Sequence, residues 1–169
     1  MNRRNFIKQT GIVSTAALLP SMTSCINEEA PKYKMGYQLF SVNEDMNQNP
    51  VESLKALKAM GYEDFEIYGF DPEKVSYYGI DATELKTILD DMNLTVTSGH
   101  YGFTDYFNSP KEELLRFVDQ CIKGAKALNS PYITWPWLAP ELRTLDNFKL
   151  LAEKLNVIGE RVTLSLIHI

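Results

Sequence analysis

Cysteine and histidine are scarce in this 169-residue chain: Cys25, Cys121, His100 and His168 are the full complement. Two cysteines supply neither a disulfide framework nor a Cys-based zinc site. Cys121 falls within an apolar helical pattern and reads as a small buried hydrophobe. An excess of basic charge is missing as well. Lys and Arg number 17 against 22 Asp and Glu, a net charge of −5, so no basic surface neutralises phosphates and nucleic acid is excluded as the main partner. No apolar run reaches the ~20 residues of a membrane-spanning helix. With 44% hydrophobic and 23% charged residues, the chain has the composition of a globular protein with one core.

The amino terminus is organised differently from the rest. Arg3 and Arg4 stand in Asn2-Arg3-Arg4-Asn5-Phe6-Ile7-Lys8, followed by a mildly apolar stretch at 11–19 that Pro20 stops. A basic region followed by a short apolar one is the order of an export signal. It resembles the twin-arginine signal, with Arg3, Arg4, Phe6, Ile7 and Lys8 matching. Met22-Thr23-Ser24-Cys25 resembles a lipobox, with Leu more usual in place of Met22. Residues 1–25 are therefore expected to be a signal segment with Cys25 as the lipidation site. The localisation expected is periplasmic or at the outer membrane, with a lipid anchor as the only membrane contact.

After a polar connection at 26–34 the sequence falls into a strand-then-helix rhythm. Short runs at Met35 to Val42, Asp64 to Tyr68, Leu94 to Ser98 and Tyr132 to Trp135 are rich in aromatic and β-branched residues, as strands require. Each precedes a helical period. Val51, Leu54, Leu57 and Met60 repeat at three-residue spacing and end at Gly61, which supplies a left-handed residue. Asp81 and Glu84 form a capping pair before Leu85, Ile88, Leu89 and Met92. Ser109 reads as the N-cap of a third helix, with Pro110 at its first position and Leu114 to Leu128 as its stripe. Phe148, Leu151, Ala152, Leu155, Ile158 and Val162 mark a fourth. Four βα units predict a parallel sheet covered by helices.

The first strand leads into Phe40-Ser41-Val42-Asn43-Glu44-Asp45 rather than a glycine-rich phosphate loop, which favours barrel closure over a doubly wound sheet. Barrels carry function at the carboxyl ends of their strands. On the second strand the two-residue period sends Phe65 and Ile67 toward the helices and Glu66 and Tyr68 the other way, with Glu66 directed into the barrel mouth. A carboxylate there needs a cation, a donor or a substrate hydroxyl, and a structural salt bridge is the alternative. The third strand ends at Ser98-Gly99-His100, and His100 is either a substrate or metal contact or a hydrogen-bonded structural residue. Tyr37, Gln38 and Phe40 end the first strand and Trp135-Pro136-Trp137 the fourth. Aromatic faces beside polar tips suit a sugar. The substrate-binding candidates are thus Gln38, Glu66, His100 and Trp137.

From Met35 to about Val162 the sequence resembles the amino-terminal half of the xylose-isomerase-like TIM barrels, the sugar phosphate isomerases/epimerases. The stretches that carry the likeness are Gly36-Tyr37-Gln38-Leu39-Phe40-Ser41, Gly61-Tyr62 leading into Phe65-Glu66-Ile67-Tyr68, and Ser98-Gly99-His100. The resemblance implies an α/β (β/α)8 barrel present here as about four βα units, at 35–163. It also implies aldose–ketose isomerisation or epimerisation through an enediolate. A divalent metal, Mn, Mg or Zn, would hold two substrate oxygens while two carboxylates move the proton. The family's metal ligands come from the fifth to eighth strands, so catalytic and metal residues are expected outside this chain. This chain by itself is expected to bind no metal and to be inactive. Residues 164–169 resemble the translation of a transposon end used in library preparation and are read as an adapter-derived tail, with a genuine apolar tail as the alternative, so His168 is not offered as a ligand.

Export points to free or oxidised sugars and polyols as substrates, since phosphorylated sugars are mostly cytoplasmic. Two alternatives keep the fold: a keto-sugar lyase or hydratase, and a non-catalytic sugar-binding barrel. An apurinic endonuclease of related fold is disfavoured by acidity, export and Trp137. The export reading predicts that replacing Arg3 and Arg4 with Lys leaves precursor in the cytoplasm and that the mature protein begins at a lipid-modified Cys25. Fractionation and intact mass measure both, and normal export of the double variant would refute the twin-arginine assignment.

Overall fold

The computed structural model describes residues 33–165 and 167–169; the stretch read as a twin-arginine signal, the apolar run after it and the lipidation candidate Cys25 lie outside the described residues. The chain enters through β1 (Gly36–Gln38), a 3-10 turn at Leu39–Val42, α1 (Asn43–Gln48) and α2 (Pro50–Ala59). Next come β2 (Asp64–Ile67), the short strands β3 (Phe70–Asp71), β4 (Ser76–Tyr77) and β5 (Ile80–Asp81), and α3 (Ala82–Asp91). β6 (Thr95–His100), α4 (Lys111–Ala127), β7 (Tyr132–Thr134) and α5 (Leu145–Thr163) complete it. The main sheet is parallel in the order β1-β2-β6-β7, so strands successive in the βα rhythm are neighbours in space. That order is the one a barrel wall requires. Among the described residues no helix is long and apolar enough to cross a membrane.

Helix ends are set by local chemistry. Gly61, at φ +96°, closes α2 with the Tyr62 amide donating to the Leu57 carbonyl and the Gly61 amide to that of Lys58. Asn93 and Asn129, at φ 51° and 55°, repeat the motif after α3 and α4: Leu94 donates to Leu89 and Ser130 to Ala125. These paired bonds satisfy carbonyls that a helix terminus leaves orphaned. At the other end, Asp81 caps α3 by accepting from Thr83 and Glu84, as its sequence pattern implies. Thr144 caps α5 by accepting from Asn147. The third cap differs from expectation. Pro110, not Ser109, is the N-cap of α4, and its carbonyl accepts from Glu113 and Leu114, a role that needs no N–H from proline.

Other elements depart from the sequence pattern. The first strand stops at Gln38, where the chain coils into the 3-10 turn instead of continuing to Val42. The third runs on to His100, two residues beyond the expected end, and so places His100 within the strand. Met60 is 68% exposed at the end of α2, and on α5 only Ile158 and Val162 are fully buried, with Phe148 exposed. The antiparallel ladder β3-β4-β5 is not anticipated by alternation, because each strand has only two residues. Residues 167–169 lie beside β7. The Ile133 amide donates to the His168 carbonyl and the His168 amide to that of Pro131, each at 2.8 Å, and Ile167 is buried. Part of the segment read as an adapter-derived tail, 167–169, thus bridges in parallel to the edge of β7 at Tyr132.

The core lies between sheet and helices. Phe65, Ile67, Val96 and Ile133 face outward from the sheet onto Leu54, Leu85, Leu89, Val118, Cys121 and Ala125. Arg161 clasps Asp119 with two hydrogen bonds, 2.7 and 2.8 Å, and joins α5 to α4. Arg161 holds the Asp119 carboxyl below the usual 3.8, so the tie is complete above that range and weakens as pH falls through the lowered value. Deeper in, the hydroxyls of Tyr77 and Tyr101 meet at 2.8 Å with both side chains buried. Burial drives both hydroxyls well above the ordinary 10.0. They remain neutral where an unfolded chain would ionise, so their contribution is intact below about pH 10 and is lost as pH rises further. Removing one partner orphans the other. Tyr101→Phe should cost about 1–3 kcal/mol, and Tyr77→Phe combined with it should recover much of the loss. Denaturant titration of the two variants decides, and an additive double mutant would contradict the pairing.

Candidate active site

The inner face of the sheet is polar, and one irregularity organises it. Asp64 and Phe65 pair with Thr95 and Val96, but Glu66 and Ile67 pair with Ser98 and Gly99, leaving Thr97 as the extra residue of a bulge. Along a regular strand Thr95 and Thr97 would face inward while Ser98 and His100 faced the helices. The bulge shifts the phase by one, as such insertions do. Thr95 and Thr97 donate to the two oxygens of Asp64, at 2.6 and 2.5 Å, and form a lower rung. Ser98 and His100 form an upper rung around Glu66. Gly99 then faces outward, and any side chain there would strike Tyr101 at 2.8 Å and Ile67 at 3.1 Å.

On the upper rung the Ser98 hydroxyl donates to Glu66 Oε2 at 2.7 Å, and His100 Nε2 lies 2.7 Å from Glu66 Oε1. Both side chains are part-buried, 20% exposed for His100 and 31% for Glu66. Gln38, opposite Glu66 on β1, brings its amide nitrogen to 3.5 Å from each ring nitrogen of His100. Ser41 donates to the Gln38 oxygen at 3.3 Å and orients that amide. The structure thus brings Gln38, Glu66 and His100 together at the carboxyl ends of three adjacent strands.

Two hollows flank the pair. Gln38, Glu66, Ser98 and Asp64 line one of about 310 Å³ inside the curve of the sheet. His100 lines a second, of about 590 Å³, with Phe40, Tyr68, Tyr101, Pro136 and Trp137. Trp137, 52% exposed, is at that mouth with Arg143 6.0 Å from its ring, and Phe40 meets Tyr68 edge to face at 5.3 Å. The Tyr68 hydroxyl donates to the Asn43 carbonyl, and burial raises its pKa. A larger hollow, about 780 Å³, runs between β7 and α5 past Leu151, Leu155 and Ile169. Tyr132 is the one titratable side chain among its lining residues, which include neither Glu66 nor His100.

Not every aromatic reaches the site. Tyr37 turns outward onto Tyr62, with ring centroids 4.8 Å apart. Trp135 stacks on Phe103 at 5.3 Å and donates its indole N–H to Thr104 Oγ1 and the Trp137 carbonyl. Sequence reasoning also missed Ser98 as the partner of Glu66, and it put Tyr68 on the side of Glu66 without naming it a substrate-binding candidate. Tyr68 was legible from the two-residue period that placed Glu66; Ser98 was not, because its orientation follows from the bulge. Glu66 and His100 are bonded to each other, and among the described residues no three His, Cys, Asp or Glu side chains converge as a metal cradle. The pair therefore does not by itself fit a divalent ion.

No protein-family model matches the chain, and no curated protein matches it. Solved structures do. One sugar phosphate isomerase/epimerase from Parabacteroides distasonis superposes with a TM-score of 0.64 at 23% identity, over 84% of this chain and 51% of its own. A second from that organism gives 0.66 at 21%, over 79% of this chain and 51% of its own. A fusion protein of a xylose isomerase-like TIM barrel with 4-hydroxyphenylpyruvate dioxygenase gives 0.52 at 18%, over 80% and 21%. The chain spans about half the length of the first two. At these identities the likeness is one of architecture, and it agrees with the strand order: this is an α/β chain with the fold of the xylose-isomerase-like TIM barrels.

Proposed function

We propose that this chain forms the sugar-binding wall of an isomerase or epimerase acting on a free or oxidised sugar, exported by the twin-arginine route and held at a membrane by lipid on Cys25. The observation that carries the reading is the Glu66–His100 pair at the carboxyl ends of β2 and β6, beside the aromatic mouth. Phe40, Tyr68 and Trp137 offer flat apolar faces to sugar C–H groups. Gln38, Glu66 and His100 supply donors and acceptors for hydroxyls. The carboxylate beside His100 disfavours a phosphate at this wall, since like charges repel in a partly desolvated site.

In this reading the proton transfer beside the carbonyl, and the divalent ion that such chemistry uses, belong to the complete barrel. What the residues here do is hold the sugar, orient its hydroxyls and exclude water from one face. The expected outcome is weak binding of D-glucose by the full chain, with glucose 6-phosphate weaker still. Trp137→Ala should lower affinity up to about tenfold, the size of one aromatic contact. No isomerisation should occur with Mn, Mg or Zn added. Calorimetric titration and a coupled isomerase assay test both points. Turnover by this chain alone would overturn the division of labour, and a Trp137→Ala variant that binds normally would remove the mouth as the site.

A further inference from the structure

Nδ1 of His100 has no strong partner among the groups that hold the ring. A carboxylate can only accept, so Nε2, 2.7 Å from Glu66 Oε1, carries the ring proton. In the neutral imidazole Nδ1 is then the acceptor. Its nearest donor is the Gln38 amide, turned toward the ring by Ser41 but 3.5 Å from either nitrogen, at the outer limit of a hydrogen bond. The ring meanwhile lines the hollow of about 590 Å³. A group that donates a hydrogen bond from that hollow gains a partner without displacing a strong one.

The orientation of Glu66 is what makes this possible. Ser98 Oγ holds Oε2 at 2.7 Å, which leaves Oε1 for the ring. Without Ser98 the carboxylate can rotate away, and both tautomers of the imidazole become accessible. We infer that His100 takes a hydroxyl of an uncharged polyol as donor to Nδ1, and that Ser98 is the positioning residue that, through Glu66, fixes the tautomer needed for it. The inference rests on the sugar-binding reading above and names the atom that reads the sugar. A phosphate or carboxylate group could not take this place, having no proton to donate when ionised.

The two histidines make the test direct. In the full chain labelled with ¹⁵N at histidine, long-range ¹H–¹⁵N spectra report the tautomer of each ring, and His168→Gln assigns the remaining signal to His100. The wild type should show Nε2 protonated and Nδ1 bare. Ser98→Ala should give a mixture of tautomers, with Ser98→Thr restoring a single form. Glu66→Gln, which keeps shape but weakens the acceptor, should also give a mixture and serves if Ser98→Ala does not fold. Addition of D-glucose should move the Nδ1 resonance. A protonated Nδ1 in the wild type, or an unchanged tautomer in folded Ser98→Ala and Glu66→Gln, would overturn the positioning role. Binding of D-glucose seen by tryptophan emission with Nδ1 unmoved would overturn this inference alone, whereas no binding at all would remove the sugar-binding reading with it.

Discussion

The hydrogen bonds that Glu66 accepts from Ser98 and from His100 require that two alternate residues of β6 face the interior just after Thr95 and Thr97 have done so. A regular strand cannot meet that condition, because its side chains alternate strictly. The bulge at Thr97 meets it by inserting one unpaired residue, so that four polar side chains of β6 face the same side as Asp64 and Glu66. Without that shift, His100 would lie among the apolar side chains of the helices and Gly99 would take its place inside. The outward phase is equally constrained: Val96 is buried before the bulge and Gly99 after it, where only glycine clears Tyr101 and Ile67.

The same arrangement removes a cost. Carboxylates on the inner face of a sheet are unfavourable unless their lone pairs are met. Asp64 is met by two threonines and Glu66 by a serine and a histidine, so each acid carries two donors supplied by the neighbouring strand. No buried side-chain nitrogen or oxygen among the described residues lacks a partner. The difference between the rungs is chemical. Hydroxyls hold Asp64 and can do little else, while Glu66 is joined to a ring with a second nitrogen that can meet another molecule.

How much of this could be read from the sequence depended on the range of the interaction that decides it. The four βα units, the Asp81 cap, Gly61 at a helix end and the inward aim of Glu66 all follow from local periodicity, and the structure has them. Asn93 and Asn129 do the work of Gly61, but asparagine marks a helix end less plainly than glycine because it serves many other turns. The two-residue strands β3, β4 and β5 are too short for alternation to register. The bulge is invisible for another reason: it is a mismatch between two strands and exists in neither alone. Its clue lay in Thr95-Val96-Thr97-Ser98, where two polar residues stand together in a strand that must bury one face.

The two ends of the sheet answer to different demands. At the entrances of β2, β6 and β7 the left-handed residues Gly61, Asn93 and Asn129 impose one repeated helix-to-strand geometry, and those joints leave little room for variation. At the exits the chain takes a different course each time: a 3-10 turn after β1, the small ladder after β2, another 3-10 turn beyond β6, and the Trp135 to Leu142 stretch after β7. Trp135 shows how such an exit is put to use. By stacking its ring on Phe103 and donating to the Trp137 carbonyl, it anchors the backbone two residues on. The Thr104 hydroxyl secures the same carbonyl from the β6 exit. Trp137 can then stay half in water without a mobile backbone beneath it. The exposed ring at the mouth is thus held by a partly buried one that packs against the core, and the loss of contact area is offset there.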